Sequence, residues 1–329
     1  MFSFVASLLL LATGAQAGTK IWDGSFNPFK TVADFDKWSW SSQVGTYQWY
    51  IHGTQPTSHY LALDPSFKNP ADTAETNGLK VTIDSQATWN SQMERTELIP
   101  QTTQNLGQGN LFYHFSVMRK DTNAPNPTLE HQIVFFESHF TELKYGVGPT
   151  ATDLQWMVGG QRQWGTPFTA DTWFNFAYDI DFSAGTVGLW ASTGSAPLVK
   201  VVQNVKASTS TNSEDFHVGV LRIVNDPNPE DWFFSGVYIE SGPITTSVGS
   251  GSAPAPPPPA TTAPPATTAP PATTKPPGST APPATTSTAP GPLQSQYGQC
   301  GGTGFTGPTT CAGSFKCVAV SPPYYYQCQ

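Results

Sequence analysis

A segment of 41 residues, Ser252 to Pro292, holds 15 of the chain's 31 prolines and a single charged residue, Lys275. Proline lacks the backbone N–H, so this segment can form neither a helix nor a sheet ladder. Its composition predicts an extended polyproline II spacer. Fully extended, such a spacer would reach roughly 130 Å. We therefore predict a linker at residues 251–292 between a large domain at 18–250 and a small module at 293–329.

The first 17 residues have the pattern of a secretory signal peptide. An apolar run from Phe4 to Leu11 is followed by the small-residue site Ala15-Gln16-Ala17. The run is too short to span a bilayer. We expect cleavage after Ala17 and a secreted, extracellular protein without a membrane partner.

The charge of the chain limits its partners. A net charge of −8 leaves no basic surface for phosphate, so no nucleic-acid partner is expected. The 20 Phe, 11 Tyr and 10 Trp supply ample apolar surface for a folded core. No acidic loop is dense enough to predict Ca²⁺, and we expect a monomer with no cofactor and no metal.

All four cysteines lie in the last 30 residues, at Cys300, Cys311, Cys317 and Cys328. A module below about 40 residues rarely folds without a covalent or metal staple. Zinc is disfavoured because the spacings are wide and no histidine is near. We predict two disulfides, as expected for a secreted chain.

The C-terminal module carries specific motifs: Gln296-Tyr297-Gly298-Gln299-Cys300-Gly301-Gly302, then Phe305 to Cys311, then Tyr324-Tyr325-Tyr326-Gln327-Cys328. Together they resemble the fungal family 1 carbohydrate-binding module over about 37 residues. So small a module cannot bury all its tyrosines, and exposed rings can stack on the apolar faces of glucose.

The resemblance implies a cellulose surface as partner and a flat binding face. By position, that face consists of Tyr297, Tyr324 and Tyr325, with Gln327 and Gln299 bonding hydroxyls. It also implies the disulfides Cys300–Cys317 and Cys311–Cys328. The chain departs from the family at Pro322, where Asn is usual, so one polar contact is expected to be lost.

The large domain has the pattern of an all-β protein. Apolar and polar residues alternate from Phe174 to Ser183, a turn follows at Ser183-Ala184-Gly185, and Thr186 to Ser192 returns the chain. Similar alternation occurs in four further segments: Leu111 to Met118, Glu130 to Phe140, Phe216 to Val224 and Trp232 to Glu240. Many short strands without a long helix predict a jelly-roll sandwich of two antiparallel sheets.

Three strand segments bring polar residues into apolar surroundings. Strand parity puts Arg95 and Glu97 on one face, and Glu137 on one face with His131 and His139. His217 points away from its apolar neighbours. Each alone is as well explained by a solvated surface residue or a weak ion pair. Together, two glutamates on separate strands are what glycoside hydrolysis requires, one as acid and one as base or nucleophile.

The surroundings of the two glutamates suggest different roles. Arg95 is expected to hold Glu97 ionised. Phe135 and Phe136 are expected to desolvate Glu137 and to raise its pKa toward that of a general acid.

The segments Arg95-Thr96-Glu97-Leu98, His131 to Glu137 and Asp231 to Tyr238 resemble the catalytic domain of glycoside hydrolase family 131. The resemblance implies a jelly-roll enzyme that acts on β-1,3/1,6- and β-1,4-glucans with inversion. It implies Glu97 and Glu137 as catalytic residues, supported by Arg95, His131 and His217. Inversion requires the two carboxyls to lie about 6.5 to 9.5 Å apart.

Aromatic residues in segments rich in Gly, Ser and Gln are candidates for sugar subsites, although core packing is the better expectation for any single tryptophan. The candidates are Trp38, Trp40, Trp49, Tyr50, Trp156 and Trp164.

Two other functions are compatible with the sequence. A jelly-roll polysaccharide lyase would use Arg95, Gln132, His131 and Tyr145 on a polyuronate, although a net charge of −8 disfavours an anionic polymer. A non-catalytic glucan-binding lectin would need no acid or base.

Overall fold

The computed structural model describes the following residues: 18–38, 45–213, 215–249, 293–294, 299–301, 308–321 and 325–328. The predicted signal peptide at 1–17 and linker at 251–292 lie outside them. Within the described residues, no helix is long and apolar enough to cross a bilayer.

The described residues of the large domain are nearly all β. Its strands are β1 (Thr19–Asp23), β2 (Tyr47–Ile51), β3 (Leu61–Asp64), β4 (Gly78–Ile83), β5 (Glu94–Pro100), β6 (Asn110–Arg119), β7 (His131–Phe136), β8 (Thr141–Tyr145), β9 (Asp153–Val158), β10 (Gln161–Pro167), β11 (Phe174–Asp181), β12 (Thr186–Thr193), β13 (Val199–Lys206), β14 (Phe216–Arg222) and β15 (Glu230–Ser241). The helical pieces described are the one-turn helix α1 (Thr57–Tyr60) and two 3₁₀ turns, Val32–Lys37 and Pro65–Phe67.

Two antiparallel sheets pack as the predicted sandwich. One sheet has the order β13-β12-β11-β6-β15-β4-β3, with β1 also pairing β15. The other, which we call the seven-stranded sheet, has the order β10-β9-β8-β7-β14-β5-β2. Sequence neighbours are therefore often distant in a sheet, and β5, β14 and β7 lie side by side although more than 30 residues separate each pair in the chain.

Alternating apolar residues of both sheets fill the space between them. Tyr113 of β6 contacts Phe136 and Phe216 of the seven-stranded sheet, with ring centroids 5.3 and 4.8 Å apart. The Tyr178 hydroxyl donates a hydrogen bond of 2.8 Å to the Val134 carbonyl across the core. Side chains of the seven-stranded sheet that do not enter this core point to its other side, which we call the outward face.

One irregularity sets which side chains reach the outward face. Between the pairs His217↔Phe135 and Val220↔Ile133, β14 has two residues and β7 has one, Val134, which adopts a φ of +43°. Both Ile133 and Val134 consequently lie in the core. The alternation of β7 thus breaks at Val134. The strand is also shorter than the predicted segment from Glu130 to Phe140, because β7 ends at Phe136 and β8 begins only at Thr141.

The C-terminal module forms a three-stranded sheet, β16 (Gln299–Gly301), β18 (Tyr325–Cys328) and β17 (Cys317–Ser321), in that order. Its disulfides are Cys300–Cys317 and Cys311–Cys328, the pairing that the family resemblance implies. Tyr297 and Tyr324 lie outside the described residues, as do the side chains of Tyr325, Gln327 and Gln299.

Candidate active site

The candidate site is built on the outward face of the seven-stranded sheet, beginning with β5. Leu98 enters the core, so Arg95 and Glu97 share the opposite face, as parity predicts. Arg95 Nε and Nη2 donate hydrogen bonds of 2.8 Å to Glu97 Oε1 and Oε2, respectively. This two-pronged ion pair fixes both side chains, and the Glu97 side chain is fully buried.

Strand β14 brings His217 onto the same carboxylate. Its Nδ1 lies 2.5 Å from Glu97 Oε2. The approach of the two strands depends on Gly219, whose φ is +146° and at which a Cβ atom would lie 2.3 Å from the Thr96 carbonyl oxygen. Any other residue at this position would push β14 away from β5 and separate His217 from Glu97.

Glu137 follows the end of β7 and reaches the same guanidinium group. Its carboxylate accepts a hydrogen bond from Arg95 Nη2, and its backbone N–H donates to the Asp215 carbonyl at 2.7 Å. Its side chain is 38% exposed, whereas that of Glu97 is fully buried. Phe136 points into the core. The two phenylalanines therefore do not enclose Glu137 as predicted, because the strand ends before the carboxyl is covered.

The charges of this group are mutually supporting. Burial alone would raise the pKa of Glu97, but the Arg95 charge and the His217 hydrogen bond outweigh it and lower that pKa. Burial likewise opposes the charge on Arg95, yet Glu97 and Glu137 raise its pKa above the usual value. Glu97 is thus held ionised, as predicted from the neighbouring arginine.

The shared guanidinium group limits the distance between the two carboxylates. Because Glu97 Oε2 and Glu137 Oε1 both bond Arg95 Nη2, these oxygens are at most about 6 Å apart, twice a hydrogen-bond length. The two predicted catalytic carboxylates are therefore close neighbours on one guanidinium group, with Glu137 exposed and Glu97 buried.

Aromatic rings surround the charged residues. The Arg95 guanidinium group lies 4.8 Å from the Tyr50 ring centroid and 5.6 Å from that of Phe135. Phe135 in turn stacks on His217 at 5.2 Å and on His139 at 5.9 Å. Such contacts hold the guanidinium group of Arg95 and the imidazole rings in fixed orientations.

Beyond Phe135, the outward face becomes polar. His139 Nδ1 lies 3.1 Å from Glu142 Oε2, and Lys144 Nζ lies 3.6 Å from Glu142 Oε1. The hydrogen bond that the Glu142 carboxylate accepts from His139 raises the pKa of this histidine. This polar region offers donors and acceptors that suit sugar hydroxyl groups.

On the opposite side, beyond Tyr50, lie two aromatic residues that the sequence interpretation missed. The His52 ring is 5.0 Å from Tyr50, and the Trp89 ring is 5.7 Å from His52. Trp89 is a single aromatic residue within the polar stretch Ser85 to Met93, between two strands. That setting is the signal by which it could have been found.

The predicted aromatic subsites are mostly core residues. Tyr50 reaches the site, but Trp38 and Trp156 are buried, and Trp49 and Trp164 pack against the core. Trp40 lies outside the described residues.

His131 lies apart from the other predicted site residues. The break at Val134 turns its side chain into the sandwich, where its Nε2 lies 2.6 Å from Glu230 Oε2 and its ring lies 5.4 Å from Trp232. The expectation that His131 shares a face with Glu137 is therefore wrong. Tyr145 is also a core residue, in contact with Phe168 and Trp232. The residue set required for a lyase is thus divided between the outward face and the core.

Metal-ligand geometry is limited to one place within the described part of the chain. The sulfurs of Cys300, Cys311 and Cys328 lie within 4.8 Å of one another, but all three cysteines are in disulfides and cannot act as thiolate ligands.

Comparison with known families divides the chain in the same places as its sequence. Residues 21–245 match the model of the glycoside hydrolase 131 catalytic N-terminal domain, and residues 296–324 match the fungal cellulose binding domain.

Two solved structures are similar to the large domain. The catalytic domain of the glycoside hydrolase family 131 protein from Coprinopsis cinerea is 73% identical, with a TM-score of 0.70, and the match covers 72% of this chain and 100% of that one. A GH131 β-glucanase catalytic domain from Podospora anserina is 57% identical, with a TM-score of 0.68, over 70% of this chain and 99% of that one.

Among curated proteins, an AA9 family lytic polysaccharide monooxygenase B from Thermothielavioides terrestris is 68% identical over 34 residues. The match spans only 10% of this chain and 10% of that protein. So short a similarity says nothing about the activity of the rest of either chain.

Proposed function

The chain belongs to glycoside hydrolase family 131, and from this membership we propose that it is a secreted β-glucanase that hydrolyses β-1,3/1,6- and β-1,4-glucans. The observation that carries the proposal is the group formed by Arg95, Glu97, Glu137 and His217, in which one accessible carboxylate lies beside a buried, ionised one. The Podospora relative, described as a β-glucanase, supports the substrate class.

The two glutamates take different parts in this proposal. Glu137 is accessible and bonded to a cation, which suits a carboxylate that removes a proton from the attacking water. Glu97 is buried and ionised, so its carboxylate fixes the orientation of the His217 ring through Nδ1. His217 then donates its proton to the oxygen of the leaving sugar.

The bond changes balance in a single displacement. Water attacks the anomeric carbon, its proton passes to Glu137, the glycosidic C–O bond breaks, and the leaving oxygen takes the proton of His217. The anomeric configuration inverts. The proposal replaces the predicted Glu97 and Glu137 acid–base pair because Glu97 is fully buried and both its oxygens are bonded by Arg95.

Product analysis tests the function and its stereochemistry together. The chain is incubated with separate β-1,3-, β-1,6- and β-1,4-glucans, and the products are observed by anomer-resolved NMR. We expect new reducing ends that first appear as the α-anomer. Unsaturated products from a polyuronate would instead establish a lyase, and binding without cleavage would establish a lectin.

Separate variants test the two roles. Glu137→Ala is expected to lose activity and to regain part of it in azide, because that anion attacks without a base. His217→Asn is expected to spare aryl β-glucosides with good leaving groups, because those need no proton donor. Azide rescue of the His217 variant rather than the Glu137 variant would reverse the assignment.

The C-terminal module is proposed to anchor the enzyme to cellulose. Tethering raises the local enzyme concentration at an insoluble surface without changing the active site. Removal of residues 251–329 should therefore reduce hydrolysis of insoluble glucan and leave soluble substrate unaffected. Equal loss on both substrates would mean that the module supports the fold of the catalytic domain and does not serve as an anchor.

A further inference from the structure

Trp89 is exposed to solvent to an unusual degree. Its side chain is 73% exposed, whereas Trp156 and Trp232 are fully buried. Tryptophan is the largest apolar side chain, and a ring held open to water beside a polar site is typical of a ligand contact.

The loop that carries Trp89 is fixed by two hydrogen bonds just before that residue. The Tyr60 hydroxyl donates to the Gln86 carbonyl at 2.9 Å, and the Arg95 N–H donates to the Ala87 carbonyl at 2.9 Å. The chain at Gly53 approaches so closely that a Cβ atom there would lie 2.0 Å from the Gln86 oxygen. The backbone that leads into Trp89 is therefore fixed before any ligand arrives, which lowers the entropic cost of binding.

The same ring lies at the end of a continuous series that starts at the catalytic group. Tyr50 contacts Arg95 and His217, His52 contacts Tyr50, and Trp89 contacts His52, with ring centroids 5.0 to 5.7 Å apart along the series. The His52 imidazole contacts the rings of Tyr50 and Trp89, and its Nδ1 has no hydrogen-bond partner among the described residues. Burial lowers the pKa of His52, so the ring is neutral and can bond a hydroxyl group.

We propose that Trp89 and His52 form a binding subsite for a glucosyl residue of the substrate chain, separated from the cleaved bond by the Tyr50 position. The apolar face of the sugar stacks on Trp89, and a hydroxyl group bonds His52. On the other side of Glu137, the polar residues His139, Glu142 and Lys144 provide hydrogen bonds in place of stacking. This subsite rests on the proposed function and would make hydrolysis depend on chain length.

The test compares Trp89→Ala, Trp89→Phe and the unchanged chain on soluble β-glucan oligosaccharides of increasing length. We expect Trp89→Ala to raise KM about tenfold on long oligosaccharides, and Trp89→Phe to recover most of the loss. On the shortest cleaved oligosaccharide, which does not reach Trp89, the variants should be alike. Val199→Ala removes a side chain that is 56% exposed in the other sheet and serves as a matched control without effect.

Two outcomes would overturn the subsite. An unchanged KM at every length would mean that Trp89 does not bind the substrate. An equal loss at every length would mean that it acts through the loop and Arg95. If the unchanged chain cleaves no β-glucan, the proposed function fails, and calorimetric titration of Glu137→Gln with and without Trp89→Ala still determines whether Trp89 binds these oligosaccharides.

Discussion

Two groups in this domain have the same composition and opposite surroundings. The outward group contains Arg95, Glu97, Glu137 and His217, and the interior group contains Arg222, Glu94, Glu230 and His131. In the interior group, Arg222 bonds both glutamates, with 2.7 Å to Glu230, and His131 lies 2.6 Å from Glu230. Each group thus contains one arginine, two glutamates and one histidine.

The two groups differ in their surroundings because adjacent residues of one strand point to opposite faces of the sheet. Glu94 and Arg95 are adjacent on β5 and point to opposite faces. Glu94 enters the sandwich, where it lies opposite Arg222 of β14. No interior side chain is more than 2% exposed, whereas Glu137 is 38% exposed. Residue types alone therefore do not define a catalytic site, because a carboxylate must also reach the substrate.

The largest expected effect comes from the same substitution in each group. Glu137→Gln should reduce kcat by about 10²- to 10⁴-fold, because it removes the proposed base, and should leave the melting temperature nearly unchanged. Glu230→Gln should lower the melting temperature and leave kcat per folded molecule nearly unchanged. Activity per folded molecule and thermal unfolding are measured for both. Glu130→Gln is the matched control, since its side chain is also 38% exposed and bonded to one cation, Lys144.

Removal of each arginine should give the same order of effects on stability as the two glutamate substitutions. Arg222→Leu leaves Glu94 and Glu230 buried without their cation and should reduce the free energy of unfolding by about 3 to 5 kcal/mol. Arg95→Leu should cost less, because Glu137 remains hydrated and Glu97 retains His217. Urea unfolding measures both. A smaller loss for Arg222→Leu would contradict a structural role for the interior group.

Sequence patterns were sufficient to predict the sandwich, the module with its disulfides, and the meeting of Arg95, Glu97, Glu137 and His217. Alternation along the strands predicted the sandwich and the shared face of Arg95 and Glu97, whereas the module and its disulfide pairing were implied by the resemblance to a carbohydrate-binding module. The prediction for His131 failed at Val134, because a φ of +43° is rare for a β-branched residue and leaves no sign in the sequence.

The aromatic residues show a second limit. Gly-, Ser- and Gln-rich surroundings indicate six candidates, and among the five that the structure describes, Tyr50 is the one that lies in the site. The polar stretch around Trp89 is a sequence signal for an exposed ring, but its position beside His52 and Tyr50 depends on contacts with residues distant in the sequence, such as Tyr60. Tertiary contacts of this kind cannot be derived from local composition.

A third buried carboxylate separates the effect of burial from that of a cation. Glu75 is as deeply buried as Glu97, but its donors, Ser235 Oγ and the Gly236 N–H, are neutral. Burial raises its pKa from 4.5 to about 7, whereas the pKa of Glu97 is lowered. Because the folded state binds the proton of Glu75 more tightly than the unfolded state does, stability falls as pH rises from 4.5 to about 7 and is then constant.

Glu75→Gln should remove this pH dependence, because an amide oxygen accepts the same two hydrogen bonds without a charge. Between about pH 4 and about pH 8, the unchanged chain should lose roughly 3 kcal/mol of stability relative to the variant. Urea unfolding at the two pH values measures the difference. An equal loss of stability between the two pH values in the unchanged chain and in the variant would contradict this prediction. It would show that Glu75 is ionised at no greater cost than Glu97, and that burial without a cation does not distinguish the two sites.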